Sequence, residues 1–211
     1  MKKLFAALLL VCLLPLCALA EMTEEGDVIV TLDGAEIFFT PIEGAHLLTR
    51  ESSASVFNRL GLSQREMLLY MEDYDLYAMM FYGDAQGYMA EVQLCVYETT
   101  EMDFDELTAY AQDMNCEGVE ATYIDGGYEV ESVEMCHTLN GHSYVKTVAS
   151  YMYEDGSVEH VIDFYTCQSG YAVQIVLFPY DGPATEAQIY LFEGFVDSLW
   201  VSENAPGGTD E

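Results

Sequence analysis

The residues best suited to coordinate a transition metal lie around one predicted turn. Cys136 and His137 precede the Asn140-Gly141 pair, and His142 follows it. Zinc-type sites use three or four such ligands, and no fourth ligand is visible in this stretch. Adjacent residues of a strand also point to opposite faces, which separates Cys136 from His137. We therefore predict no metal site here and no cofactor.

Carboxylates are the most abundant candidates for acid–base chemistry and for calcium binding. The acidic clusters are Glu72, Asp73 and Asp75, and Asp103, Asp105 and Glu106. Neither cluster has the alternating ligands and central glycine of a calcium-binding loop. With 37 Asp and Glu residues, some pair lies at a glycosidase-like separation by chance, and neither a Gly-x-Ser-x-Gly motif nor a Cys–His nucleophile pattern is present. We predict no catalytic residues and no enzymatic activity. Weak surface binding of divalent cations is compatible with so many acids and stays open.

The scarce basic residues are the first candidates for partner binding. Arg50, Arg59 and Arg65 fall within sixteen residues, and beyond the first twenty residues the only other Lys or Arg is Lys146. The three arginines could form one anion-tolerant spot. Alternatively, they could pair on the surface with neighbouring acids.

Tyrosines are the second candidates for partner binding. Tyr151 and Tyr153 belong to a group that crowds the second half of the chain. Exposed rings could stack on sugars or anchor a protein partner. The alternation of the strand residues also allows these rings to pack beneath helices.

The overall charge limits the classes of partner. The chain has 211 residues, with 37 Asp and Glu against six Lys and Arg, and a formal net charge of −31. Nucleic-acid binding depends on Lys and Arg that displace counterions, so this composition excludes it. The same charge repels anionic membranes, whereas basic proteins, divalent cations and cationic polymers stay compatible with it.

Residues 1–20 have the layout of a bacterial secretory signal peptide. Lys2 and Lys3 form a positive start, residues 4–14 are apolar, and residues 18–20 (Ala-Leu-Ala) form a cleavage motif. The apolar run is shorter than the about 20 residues that span a membrane. We predict cleavage after Ala20 and a secreted, extracellular protein. Cleavage removes two lysines and no acid, which makes the mature chain still more acidic.

Four cysteines follow the predicted signal peptide, namely Cys95, Cys116, Cys136 and Cys167. An even number in an exported protein allows two disulfides with three connectivities. The oxidising exterior favours these bonds, but a chain of this size does not need them to be stable. The sequence leaves the disulfide state open.

Turn and capping signals predict the elements that position these residues. Asp33-Gly34 predicts a hairpin, and capping boxes predict helices that begin at Ser63, Asp103 and Thr185. The predicted helices are 52–60, 63–73, 103–115 and 185–199. The predicted strands are 27–31, 35–40, 76–82, 88–98, 129–138, 142–153, 157–168 and 171–180.

The strands of the second half are apolar on both faces, which indicates a sheet covered on both sides. Short Asn-Gly, Asp-Gly and Ser-Gly turns between them require antiparallel neighbours. We predict an α+β fold, a three-layer α/β/α sandwich around a six- to seven-stranded antiparallel sheet.

Three segments carry a resemblance to a known family: residues 37–41 (IFFTP), 166–175 (TCQSGYAVQI) and 195–200 (FVDSLW). With the order of the elements, they resemble the PsbP-like superfamily over most of residues 35–201. The resemblance implies a non-enzymatic scaffold for binding or assembly, and it supplies no catalytic set. The strong acidity departs from the basic partner-binding faces of some members.

The predicted organisation is a cleaved signal peptide (1–20), an acidic leader with the first strand (21–34), a single PsbP-like domain (35–201) and a disordered tail (202–211). We predict a secreted, non-catalytic binding or assembly domain whose partner at the cell exterior is a protein or another polymer, with a protein favoured. The alternative is an extracellular polysaccharide-binding or glycan-hydrolysing protein that uses tyrosine faces and carboxylates.

Overall fold

The computed structural model describes residues 19–22, 27–32, 35–84 and 87–203. The strands are β1 (Leu19–Met22), β2 (Val28–Thr31), β3 (Ala35–Phe39), β4 (His46–Thr49), β5 (Leu76–Asp84), β6 (Gly87–Glu98), β7 (Glu129–His137), β8 (Ser143–Met152), β9 (Val158–Gln168), β10 (Tyr171–Pro179) and β11 (Trp200–Glu203). The helices are α1 (Ala54–Arg59), α2 (Gln64–Asp73), a short 3-10 helix (Phe104–Glu106), α3 (Ala109–Asp125) and α4 (Glu186–Ser198).

A seven-stranded antiparallel sheet forms the centre of the fold, in the order β4-β5-β6-β10-β9-β8-β7. This confirms the predicted α+β class and the antiparallel sheet. The turn between β9 and β10 has positive φ at both Ser169 (51°) and Gly170 (80°). Two-residue turns of this kind match the twist of the flanking strands, which is why such short sequence signals locate the hairpins.

A second sheet contains the strands near both ends of the described chain, in the order β1-β2-β3-β11. The predicted N-terminal hairpin belongs to this small sheet, where β3 also pairs with β11 and Trp200 lies opposite Phe38. The Asp33-Gly34 turn lies outside the described residues, although β2 and β3 pair antiparallel as that turn requires. The predicted cleavage after Ala20 falls within β1 and stays a prediction.

The small sheet and α4 cover one face of the large sheet. Their contribution to this main core includes Ile37, Phe39, Phe192 and Phe195, all nearly inaccessible to solvent. The helix α4 begins with the predicted capping box, in which Thr185 and Gln188 satisfy each other's backbone groups. The third layer on this side is therefore part sheet and part helix.

Within the described part of the chain, helices cover the opposite face only at its two ends. Near one edge, α1 and α2 bury Phe57 and Met71 against Met79 of β5. Near the other edge, α3 packs on β7 and β8. The strands β6 and β10 lie between these two helical layers.

The predicted helix 103–115 is wrong in its bounds. The 3-10 helix Phe104–Glu106 ends at Leu107, whose backbone is extended (φ −72°, ψ 141°). The side chain of Thr108 then caps α3 by accepting a hydrogen bond from the amide of Ala111. Gly118 lies in the interior of α3 and does not end it. The helix continues to Asp125, and Gly126 is its C-cap.

Candidate binding surface

Polar and aromatic side chains form a strip on the sheet face between α2 and α3. Strand pairing places Gln93 opposite Val176, Val176 opposite Asp163, and Asp163 opposite Thr147. Residues two apart on a strand share a face, so the same strip receives further side chains. We define the tyrosine–carboxylate strip as Glu91, Gln93, Glu159, Asp163 and Gln174 with Tyr70, Tyr123, Tyr153 and Tyr180.

The accessible end of the strip is built around Glu91. The Nε2 atom of Gln93 donates to Glu91 Oε1 at 2.6 Å, and the hydroxyl of Tyr180 donates to Glu91 Oε2 at 3.0 Å. Gln93 Nε2 also lies 3.2 Å from the hydroxyl of Tyr70. Both tyrosines are exposed. Burial raises the pKa of Glu91 and raises that of Tyr70 to about 12.

The centre of the strip is built around Asp163, which is only 1% exposed. Its Oδ2 atom accepts hydrogen bonds from Tyr123 (2.7 Å) and from Gln174 (2.9 Å). Its Oδ1 atom and Thr147 Oγ1, on the paired strand, have no hydrogen-bond partner among the described residues. Burial raises the pKa of Asp163 to about 6. The carboxylate is therefore mostly ionised at neutral pH while enclosed in protein.

The third carboxylate of the strip is Glu159, and it connects to a row of tyrosines. Tyr153 donates to Glu159 Oε2 at 2.9 Å. Ring centroids in the row are 5.1 Å (Tyr123–Tyr128), 5.3 Å (Tyr128–Tyr151) and 5.1 Å (Tyr151–Tyr153) apart. The interplanar angles of 57° to 74° make these contacts edge-to-face or tilted. The candidates Tyr151 and Tyr153 are thus half-buried members of a packed row, which presents no flat platform for a sugar ring.

The strip carboxylates are held by hydroxyl and amide donors in place of cations. Among the described residues, Lys146 forms an ion pair with Glu193, and His142 contacts Asp105; both contacts lie away from the strip. Hydrogen bonds partly offset the cost of burying a carboxylate, but its charge stays uncompensated. The strip is therefore a region of negative potential bordered by aromatic rings.

The three arginines do not lie on this strip. Arg50 donates to the carbonyls of Leu76 (2.8 Å) and Met71 (3.1 Å), and its guanidinium lies 4.4 Å from the ring centroid of Tyr77. These contacts tie α2 to β5. Arg59 and Arg65 are exposed on α1 and α2, at the opposite edge of the large sheet from β8 and Tyr151. The structure thus separates the two groups of predicted site residues.

The site residues predicted from the sequence do not include Glu91, Gln93, Asp163 or Gln174. The signal that could have found them is a polar residue inside a strand that is apolar on both faces, as Asp163 is in Val161-Ile162-Asp163-Phe164.

The His and Cys residues near the β7–β8 turn make ordinary protein contacts. His142 Nδ1 lies 2.8 Å from Asp105 Oδ2, and His137 Nδ1 lies 3.2 Å from Ser143 Oγ. Within the described ranges, no group of three or more His, Cys, Asp or Glu residues could hold a metal ion. The four cysteines are free thiols in this structure, and burial raises the pKa of Cys167 to about 12.

No helix in the described part of the chain has both the length and the apolar character needed to cross a membrane.

The comparisons with known proteins give structural similarity alone. No protein-family model matches the chain, and no curated protein matches it in sequence. The solution structure of cyanobacterial PsbP (CyanoP) from Synechocystis sp. PCC 6803 is similar, with a TM-score of 0.45 and 12% identity, over 88% of this chain and 92% of that one. A crystal structure from Bacteroides thetaiotaomicron VPI-5482 is similar with a TM-score of 0.39 and 7% identity, over 82% of this chain and 46% of that one.

The resemblance seen in the sequence and this structural similarity concern the same group of proteins. At these TM-scores and identities, neither structure carries an argument about function.

Proposed function

We propose that this protein is a secreted, non-catalytic binding domain whose partner is a basic protein segment. The observation that carries the proposal is the tyrosine–carboxylate strip, where, among the described residues, Tyr and Gln side chains are the donors to Glu91, Asp163 and Glu159. A Lys or Arg side chain from a partner supplies the missing positive charge. The signal-peptide layout of residues 1–20 supports a partner outside the cell.

The Glu91 end is the part of the strip that offers a contact to a partner. Tyr180 and Tyr70 are exposed on either side of the hydrogen-bonded Glu91 and Gln93. A cation beside Glu91 makes a charge-assisted hydrogen bond to the carboxylate and contacts the faces of the rings. The net charge of −31 adds a long-range field that speeds the encounter with a basic partner.

The arrangement of the strip favours binding over hydrolysis. A glycosidase needs two carboxyl groups that both reach the scissile bond. Asp163 is enclosed, and its Oδ2 atom is engaged by Tyr123 and Gln174. The edge-to-face tyrosine row also gives the glycan-binding alternative no support.

The proposal is tested with a dye-labelled, structureless peptide of Arg, Gly and Ser and with a matched peptide that carries Glu in place of Arg. Fluorescence anisotropy should show binding of the Arg peptide alone. The Glu91→Gln variant should bind about fivefold more weakly, from the loss of about 1 kcal/mol of charge-assisted bonding. Glu43→Gln removes the same charge from an exposed loop and should bind like the unmodified protein. Equal affinities of the two variants for the Arg peptide would contradict the proposal.

A further inference from the structure

The helix α3 is apolar on its outer face as well as on the face that packs on the sheet. Its inner side chains include Val119 and Tyr123, which contact the sheet core. On the outside, Tyr110 is 74% exposed, Met114 48% and Ile124 55%. About half or more of each of these apolar side chains is thus exposed to solvent, where an ordinary amphipathic helix carries polar residues.

The outward apolar residues form a stripe along α3 that one charged residue interrupts. At 100° per residue, they occupy one narrow sector of the helix, and the sector runs for about 21 Å at 1.5 Å per residue. We define the α3 stripe as Tyr110, Met114, Ala121 and Ile124. Exposed acids border the stripe, with Asp113 and Glu120 on one side and Asp125 on the other. A further exposed acid, Glu117, lies within the stripe. The α3 stripe therefore has an apolar centre, acidic borders and one internal negative charge.

We propose that the α3 stripe docks a basic amphipathic helix of a protein partner. The apolar side of such a helix covers Tyr110, Met114 and Ile124, and Lys or Arg residues along its margins meet the acidic borders. One basic residue within the contact face opposes Glu117 and sets the register. This inference rests on the proposed basic protein partner but uses a surface separate from the tyrosine–carboxylate strip.

Charge complementarity selects this occupant over the alternatives. Two copies of α3 facing each other would bring their acidic borders together. An anionic membrane is repelled by the same acids. A basic helix satisfies the acids and the apolar residues at the same time, and the about 21 Å length matches a partner helix of about four turns.

The test uses a labelled peptide of about 18 residues, with Leu on one helical face, a single Lys at the centre of that face and Lys on the other faces, and a scrambled peptide of the same composition. The protein should bind the amphipathic peptide and bind the scrambled one at least tenfold more weakly. Tyr110→Ser should weaken binding of the amphipathic peptide about tenfold, as loss of an interface aromatic does. The matched control is Tyr190→Ser on α4, where the tyrosine is 77% exposed, and it should leave the affinity unchanged.

A charge reversal tests the register. Glu117→Lys should weaken binding of the Lys peptide and strengthen binding of a peptide that carries Glu at the central contact position. Glu43→Lys makes the same charge change on a distant loop and should produce no such exchange. The inference is overturned by equal binding of Tyr110→Ser and Tyr190→Ser, by concentration-dependent dimers that Tyr110→Ser abolishes, or by neutral phosphatidylcholine vesicles that bind through this face.

The two proposals fail separately. Glu91→Gln should weaken binding of the structureless Arg peptide and leave binding of the amphipathic peptide unchanged. Tyr110→Ser should weaken binding of the amphipathic peptide and leave binding of the Arg peptide unchanged. If the protein binds the Arg peptide but not the amphipathic peptide, the proposal that α3 docks a helix is wrong. If it binds the amphipathic peptide but not the Arg peptide, the proposal that the strip binds a basic segment is wrong.

Discussion

Asp163 is a buried carboxylate whose contacts show how the fold accommodates a negative charge in its interior. It is enclosed beneath α3, and Tyr123 and Gln174 supply both of its hydrogen bonds. The titratable groups that interact electrostatically with Asp163 include Cys95, Tyr97 and Tyr123, and none of these three is a cation. An ionised carboxylate in such a place destabilises the folded state relative to the unfolded chain, where water solvates it.

This environment predicts a stability that falls as pH rises. The folded-state pKa of Asp163 is about 6, against 3.8 for the exposed group, so the folded protein holds the proton more tightly. The stabilising contribution is present below pH 3.8 and is lost as the pH rises through about 6. Between pH 4 and pH 7.5 the free energy of unfolding should fall by about 2 to 3 kcal/mol from this group. Urea unfolding followed by the fluorescence of Trp200, the single tryptophan, measures it.

Asp163→Asn is the control because it keeps the shape and cannot ionise. Its unfolding free energy should lack that 2 to 3 kcal/mol share of the pH dependence. The dependence that remains reports the other acids, including Glu91, whose pKa burial also raises. If the variant and the unmodified protein showed the same slope, the account of Asp163 would be wrong.

The sequence shows which polar residues interrupt the apolar strands, but it does not show their hydrogen-bond partners. Asp163 and Gln93 interrupt apolar strands, which is visible in the sequence. Tyr123 lies 40 residues from Asp163, and Tyr180 lies 89 residues from Glu91. Only the strand order and the position of α3 bring these groups together, so the strip could not be predicted from spacing.

At the scale of elements, the helix ends differ in a way that a pair of variants can measure. Thr185 caps α4 with its side chain, whereas Ser63 occupies the N-cap of α2 without a side-chain hydrogen bond. Thr185→Ala should lower the free energy of unfolding by about 1 kcal/mol. Ser63→Ala should change it little, because no cap bond is lost. Equal losses in the two variants, measured by urea unfolding, would contradict these cap assignments.

The β7 strand is an edge of the large sheet and carries acids that block further pairing. Glu129, Glu131 and Glu134 are exposed, and a register shift interrupts its pairing with β8 between Val130 and Ser132. Charges and bulges on an edge strand prevent the addition of a strand from another molecule.

Replacing Glu129, Glu131 and Glu134 together by Thr should therefore produce association that grows with protein concentration. Size-exclusion chromatography with light scattering measures it. The control replaces three exposed glutamates away from the edge with Thr: Glu43, Glu106 and Glu186. A triple β7 variant that stayed as monomeric as this control would show that the edge needs no protection.

Local signals explain which elements the sequence predicts correctly. The tight turns between β7 and β10 are encoded by neighbouring residues, and the strands lie close to their predicted bounds. The start of α3 was misplaced because the capping signal at Asp103 belongs to a 3-10 helix, while Thr108 provides the cap of α3. The pairing of β11 with β3 joins residues more than 150 positions apart, and no local pattern indicates it.

At the scale of the whole molecule, the sheet has one dry face and one mixed face. The dry face packs against α4 and the small sheet, and it accounts for the large apolar core. The mixed face is covered at its ends by α2 and α3, with the tyrosine–carboxylate strip between them. The sequence predicts a covered sheet correctly but not the separation of this layer into two groups of helices, which depends on where the helices pack.

The measurement that tests the central claim most directly is a nuclear magnetic resonance titration of the labelled protein with the structureless Arg, Gly and Ser peptide. We expect the largest amide shifts at Glu91, Gln93, Gln174 and their strand neighbours, and we expect these shifts to diminish in the Glu91→Gln variant. Shifts spread evenly over the exposed acids, including Glu129 and Glu134 of β7, or no shifts at all, would contradict the claim that the strip binds a basic protein segment.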